Sequence, residues 1–392
     1  MEFSQIAAAA GIAKYPKEFD AIYETLAGDT APACDLALIE RLQAEYNTFG
    51  EYYDLVVEMA NAVNADPNRS MWVKVAVAFA KDKSVAEARR VPVPAADGTQ
   101  ITAMLPLFIL VPMIPNGIEE YRRRGFGDAE AARAASMAGS ISTVKSHTGM
   151  PGINWLYYYW NILFVKAAIF RTNGLQFELR YVPDTTVYLK NKEDGTIQAV
   201  MNKGTFHASG IQPLGSVGYT DEEGAFTVSF REDEENYYGH ASRLGLVDRE
   251  ETAFPKSLWE KAAAPGDPCL SLHIPSKANI SPEIMAEAVE AAYALTRERY
   301  PEWNVVGVFG SSWILDPKLI GYTGEQSKIT NLIRMFAIYP QKSDGKGAFG
   351  YVFPKNCTNY NDLPEDTSLQ RKLKQLYLDG GYIHNYAGMI IK

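Results

Sequence analysis

Leu270-Ser-Leu-His273-Ile-Pro275, Ser281-Pro282, Val305-Val-Gly-Val308-Phe309 and Gly310-Ser-Ser-Trp313-Ile-Leu-Asp316-Pro317 all fall between Cys269 and Tyr339, and their reading decides the fold. The first alternates as a strand does and stops at a proline. Ser281-Pro282 opens a helix, because serine is a preferred N-cap and proline is pre-organised for the first helical position. From Glu283 to Tyr300 the residues Ile284, Met285, Ala288, Ala291, Ala292 and Leu295 recur at helical spacing, and Pro301 ends the run. Val305 to Phe309 is a continuous apolar run, as in a buried strand, and a second helix follows Asp316-Pro317. A strand, a crossover helix and a parallel strand put two C-terminal strand ends side by side, the edge at which open α/β sheets bind ligands. His273, Ser312, Trp313 and Asp316 fall at or just beyond that edge.

Upstream of this unit the texture is that of antiparallel hairpins. Leu175 to Val182 alternates strictly, with Leu175, Phe177 and Leu179 on one face and Gln176, Glu178 and Arg180 on the other. Thr186 to Lys190, Thr196 to Met201, Thr205 to Ala208 and Ala225 to Phe230 read as short strands, with a turn at Lys192-Glu-Asp-Gly195. Downstream, Ala348 to Phe353 reads as a strand, Thr367 to Leu378 as a helix and Tyr386 to Ile391 as a last strand. Residues 1 to 170 read almost wholly as helix, ending in a long apolar segment from Gly152 to Phe170 taken as one buried central helix. The order predicts an α+β protein: a helical domain over 1–170, then a mixed β-sheet domain flanked by helices over 171–392.

The totals bound the function. A net charge of -9 over 392 residues argues against a nucleic-acid groove or an anionic membrane surface as the main partner. Ile101 to Ile118 is apolar but carries Pro106, Pro112, Pro115 and Asn116, and reads as core, not as a membrane span. Cys34, Cys269 and Cys357 are scattered and odd in number, so no disulfide framework or CxxC site follows, and a reducing, cytoplasmic setting is expected. The N-terminus lacks the basic start and apolar core of a signal peptide.

Several motifs have a bland reading beside the chemical one. Arg122-Arg-Arg-Gly125-Phe-Gly127 fits the R-x-x-G-x-G loop that cradles a pyrophosphate, yet it follows a helix, where Gly125 serves as a C-terminal cap. Five histidines form neither HxxxH nor HExxH, so no metal site is expected. His273, at a strand's end, is the histidine best placed as a base or substrate contact, and equally a structural one. Ser311-Ser312 does not make G-x-S-x-G and reads as capping or hydrogen-bonding; Asp316 reads equally as catalytic or as an N-cap.

Three segments together resemble a known family. Phe170-Arg-Thr-Asn-Gly-Leu175-Gln-Phe-Glu178 is similar to its "FRLGRLQFE" segment, Leu272-His-Ile-Pro275 with Ile280-Ser-Pro282 to its "HIP…LTP", and Ser312-Trp-Ile-Leu-Asp316-Pro to its "SWLLDP". The family is the bacterial "acyltransferase domain-containing" group, with a helical N-terminal domain and a C-terminal domain that resembles GNAT acyltransferases. The resemblance covers about residues 100 to 392 and implies a putting-together of the elements above into a GNAT-like fold whose parallel strands splay to admit the pantetheine arm of acetyl-CoA or another acyl-CoA. It implies coenzyme A contacts from Lys277, Ser281, Ser311 and Ser312, with the phosphates near Lys277 and the start of the 282–299 helix. It implies a base at His273 or Glu178, an acid at Tyr351 or Tyr386, and acceptor contacts from Gln176, Arg180, Trp313 and Asp316.

Two positions depart from the family pattern: Ser276-Lys-Ala-Asn-Ile-Ser281 stands where the pyrophosphate loop belongs, and Ser311 stands where many relatives carry histidine. The expected function is acyl-CoA-dependent transfer to an amine, small-molecule or peptide, without a metal. The alternative is a GNAT-like protein that binds a small ligand in the same cleft without acyl transfer. A third class, a scaffold that docks a protein on its helical domain, predicts an exposed apolar patch over residues 1–170.

Overall fold

A computed structural model describes residues 2–94, 97–275, 278–354 and 357–392. The chain divides into two compact units, Met1–Phe170 and Arg171–Lys392. The first holds the helices α1 (Phe3–Ala9), α2 (Glu18–Leu26), α3 (Leu36–Tyr46), α4 (Tyr53–Ala65), α5 (Pro67–Lys81), α6 (Val85–Ala88), α7 (Gln100–Leu110), α8 (Ile114–Arg123), α9 (Asp128–Ala131), α10 (Ala138–Thr148) and α11 (Trp155–Val165). Local chemistry sets their starts: Asp35, Asp66 and Asn154 accept backbone N–H groups of the first turns of α3, α5 and α11. One apolar core joins them, with Phe19, Trp72, Phe79, Phe108, Tyr121 and Tyr158 buried in it. Gln100–Arg123 is apolar and long enough to cross a membrane, but 72% of its most apolar window is buried among the other helices.

The apolar segment 152–170 is not one helix. α11 stops at Val165, and Ile169–Thr172 is already strand β1. Ala167 takes φ 47°, the left-handed region, and the Ala168 N–H turns back to Leu163 O at 2.8 Å. That closure ends the helix, and hydropathy carries no sign of it.

Strands β2 (Leu175–Tyr181), β3 (Thr186–Asn191), β4 (Ile197–Met201), β5 (Lys203–Phe206), β6 (Phe226–Ser229), β7 (Arg231–Glu232), β8 (Asn236–Arg243), β9 (Leu246–Val247), β10 (Thr252–Pro255), β11 (Trp259–Ala263) and β12 (Pro268–His273) follow. Helix α12 (Pro282–Arg299) then leads to β13 (Val308–Ser312), α13 (Lys318–Thr323), α14 (Lys328–Arg334), β14 (Ala337–Pro340), α15 (Ser368–Leu378) and β15 (Tyr386–Ile390). One sheet has the order β1-β2-β12-β13-β15-β14; a second has β10-β8-β4-β3-β11, and β5-β6 is a separate hairpin. This is the expected α+β architecture: helices first, then a mixed sheet flanked by helices.

Side-chain alternation welds the two sheets of the second unit. On β3 and β4, Tyr188, Ala199 and Met201 join a core with Cys269, Phe309, Tyr339, Ala387 and Met389 of the first sheet. The intervening Val187, Leu189 and Val200 point the other way, into a smaller core with Tyr237 and Phe254. Two strand boundaries differ from the sequence reading. β13 begins three residues after the start of the apolar run, because the Val305 N–H closes a turn onto Trp303 O. Ala348–Phe353 forms turns instead of a strand: the Phe349 N–H bonds Lys346 O, and Gly345 and Gly350 take φ of 74° and 90°.

Gly388 in β15 lies opposite Gly310 of β13 and Ile338 of β14. A Cβ there would meet Ala337 O at 2.8 Å and Ile338 Cα at 3.0 Å, both backbone. Gly388→Ala is therefore expected to cost about 1–3 kcal/mol in equilibrium denaturation by overpacking, and an unchanged midpoint would show that the sheet relaxes at this point.

Candidate active site

The centre of the first sheet has an uneven register. β12 pairs antiparallel with β2 along its whole length, from Pro268↔Tyr181 to His273↔Gln176. Its parallel pairing with β13 stops after Leu270↔Val308 and Ser271↔Phe309. Beyond that point β12 stays with β2, while Gly310, Ser311 and Ser312 pair with Gly388, Ala387 and Tyr386 of β15. The two parallel strands thus part at their C-terminal ends and leave a wedge bounded by Leu272–His273 on one side and Gly310–Ser312 on the other.

Register also fixes which side chains share a face. Cys269, Ser271 and His273 lie opposite Arg180, Glu178 and Gln176, so one face of this strand pair carries a polar row. His273 Nε2 meets Glu178 Oε2 at 2.9 Å. Glu178 is buried, and the imidazole is about one-third exposed. A neutral imidazole held this way carries its proton on Nε2, so the carboxylate makes Nδ1 the basic nitrogen. Gln176 is buried beside them, and the Arg180 guanidinium lies over the Phe309 ring at 5.1 Å.

The wedge's other wall is built by turn chemistry. Ser311 Oγ donates to Gln341 Oε1 at 2.5 Å, and Ser312 Oγ accepts the Ile314 N–H at 3.3 Å. Trp313 is buried, with the exposed Tyr351 ring 6.4 Å away. Asp316 is fully buried; its Oδ1 accepts the Lys318 N–H at 2.9 Å and its Oδ2 the His384 N–H at 2.8 Å. That carboxylate ties the turn after β13 to the start of β15, and burial raises its pKa to about 6. Tyr386 is also buried, its hydroxyl donating to Ile211 O at 3.2 Å, and burial raises its pKa far above that of an ordinary phenol.

At the start of α12, Ser281 Oγ accepts the Ile284 N–H at 3.5 Å, and the Lys328 ammonium donates to Asn279 Oδ1 at 2.9 Å. Lys277 lies outside the described residues. Among the described residues no group of three His, Cys, Asp or Glu side chains could hold a metal ion. The Arg122–Gly127 segment is a helix end, with Gly125 at φ 80° and the Phe126 N–H returning to Tyr121 O; Arg123 and Arg124 pair with Glu120, and Arg122 with Asp128.

Residues 169–390 match the family described as GNAT-like C-terminal domain, more than half of the chain. The chain belongs to this family. Its fold is also that of solved acyltransferases. One, in complex with coenzyme A and 10C-teicoplanin, has a TM-score of 0.60 at 16% identity; another, with decanoyl-CoA and teicoplanin, has 0.59 at 18%. A third, with decanoyl-CoA, has 0.60 at 16%, and each comparison covers 100% of this chain and 99% of the other. No curated protein matches the sequence.

Sequence reasoning named both members of the GNAT-like domain's His273–Glu178 pair without pairing them, since it had no register between strands about ninety residues apart. It missed Gln341 and Lys328, which topology, not spacing, brings to Ser311 and to the α12 start.

Asp316 offers a test by pH. A carboxyl with a raised folded-state pKa contributes stability that is complete below its unfolded value and is lost as pH rises through about 6. His384, lowered by burial, titrates in the opposite sense. Relative to Asp316→Asn, the wild type should therefore gain about 1 kcal/mol of unfolding free energy between pH 7 and pH 5. Parallel stability curves for the two proteins would mean that Asp316 titrates as a solvated carboxyl.

Proposed function

We propose that this protein transfers an acyl group from acyl-CoA to an amine. The observation that carries this reading is the wedge between β12 and β13 with the His273–Glu178 pair on one of its strands. Where the two strands part, backbone groups that a parallel ladder would consume face the gap, and an extended amide-bearing chain such as pantetheine can pair with them. The solved acyltransferases that share the fold hold coenzyme A or decanoyl-CoA, and two hold teicoplanin or its 10C form, which supports a thioester donor and an amine acceptor.

The chemistry then divides among this chain's residues. His273 Nδ1 takes a proton from the attacking amine, with Glu178 holding the ring and balancing the charge it acquires. The amine nitrogen bonds to the thioester carbonyl carbon, the carbon–sulfur bond breaks, and the thiolate leaves with a proton. Tyr351 is the accessible phenol for that last transfer; Tyr386, buried and bonded to Ile211 O, serves by position. Ser281 caps α12 and Lys328 bonds Asn279 just before it, where phosphate is favoured by the helix N-terminus, and Lys277 precedes them in sequence. Gln176, opposite His273, and Arg180, at the other end of the polar row, are the acceptor contacts on this strand, and Trp313 and Asp316 shape the opposite wall. The cytoplasm, where acyl-CoA is available, is the compartment this reading requires.

Thermal unfolding with excess acetyl-CoA and longer acyl-CoAs tests the donor. A ligand at about a hundred times its dissociation constant adds about 2.7 kcal/mol, a readily measured shift. His273→Ala should keep that shift and lose roughly 10²–10⁴-fold in kcat against an amine acceptor. No shift with any acyl-CoA at millimolar concentration would sink the transferase and leave a GNAT-like fold that binds another ligand.

A further inference from the structure

The chain between β5 and β6 is strapped onto the second unit. Tyr386 OH donates to Ile211 O at 3.2 Å, and His384 Nε2 bonds Val217 O at 3.0 Å. The Val217 N–H donates to Ser343 O at 3.0 Å, and the Ser343 N–H to Ser216 Oγ at 3.3 Å. These contacts enclose polar side chains: Gln212, Asp316 and His384 are exposed by 0%, 0% and 1%.

Partner chemistry fixes the state of this cluster. Val217 O can only accept, so His384 Nε2 carries the proton and Nδ1 the lone pair. Burial lowers the imidazole's pKa and keeps it neutral. Asp316 already accepts the His384 N–H, and the Tyr219 ring stands edge-on to the imidazole at 5.4 Å. Yet His384 Nδ1 has no hydrogen-bond partner among the described residues, and the Gln212 amide, which lies beside the Tyr386 hydroxyl, has none in good geometry at Nε2 or Oε1. Native interiors rarely leave such atoms unmet.

The demand is mixed: Nδ1 and Oε1 require donors, while Gln212 Nε2 requires an acceptor. A cation at His384 would face the neighbouring Lys318 ammonium, which bonds Tyr382 O. An anion would face Asp316. Water supplies donor and acceptor in one small unit, and buried waters typically make about three hydrogen bonds to otherwise unmet groups. We propose that Gln212 and His384 bind internal water, and that this hydrated site fastens the 211–219 strap across the turn after β13 and the start of β15. It does not depend on the acyl-transfer reading.

Gln212→Leu, similar in size, gives a test by sign. If water satisfies the amide, the variant loses those bonds and its unfolding constant in urea should rise about ten-fold. If the amide is unmet, leucine removes a desolvated polar group and stability holds or improves, which overturns the proposal. A crystal structure of the wild-type chain decides independently, should the variant not fold. Ordered water within hydrogen-bond distance of the Gln212 amide and His384 Nδ1 supports the site, and protein atoms filling those positions refute it.

Discussion

The short parallel contact between β12 and β13 is the constraint on which the rest of the second unit depends. Two residue pairs, extended by the Val306 N–H to Pro268 O bond just before β13, join these strands, while each is held longer by its antiparallel neighbour. A ladder of that length could not survive alone. It persists because β2 and β15 clamp the outer sides and because Phe309, Cys269 and Met389 are packed against the second sheet. The wedge is therefore rigid on both walls, the condition under which a ligand can enter without opening the fold.

That packing explains why a polar row can exist inside a sheet sandwich. The face that carries Cys269 and Phe309 into the core is the face that carries Glu178 and His273 beyond its edge. An imidazole meets the buried Glu178; an unpaired carboxylate at that depth would cost several kcal/mol. Burial of the carboxylate and partial exposure of the imidazole are one arrangement, in which the inner group holds the outer one.

Legibility in the sequence followed the range of the physics. The α12 start at Ser281-Pro282, the alternation of Leu175–Tyr181 and the Thr367-capped α15 are local signals, and each stands where the residues place it. The end of α11 was hidden because Ala167 adopts the left-handed region that no residue type there advertises. The 348–353 segment alternates like a strand but is folded by the glycines around it. For the site, the individual residues His273 and Glu178 could be named, but their pairing, like that of Ser311 with Gln341, depends on strand order, which no window of sequence contains.

Asp316 and Glu178 make the contrast general. Both are buried carboxylates, one within β2 and one just after β13, on the two strands that flank β12, and composition cannot tell them apart. Asp316 places its two oxygens on the backbone N–H groups of Lys318 and His384, so its charge is met by fixed dipoles and its role is to hold a turn. Glu178 places Oε2 on an imidazole that reaches solvent. A carboxylate bonded to backbone stabilises a shape, whereas one bonded to an imidazole orients a group with a second ring nitrogen to offer. On that distinction the proposed proton transfer is assigned to the β2–β12 side of the wedge, with the β13–β15 side as its other wall.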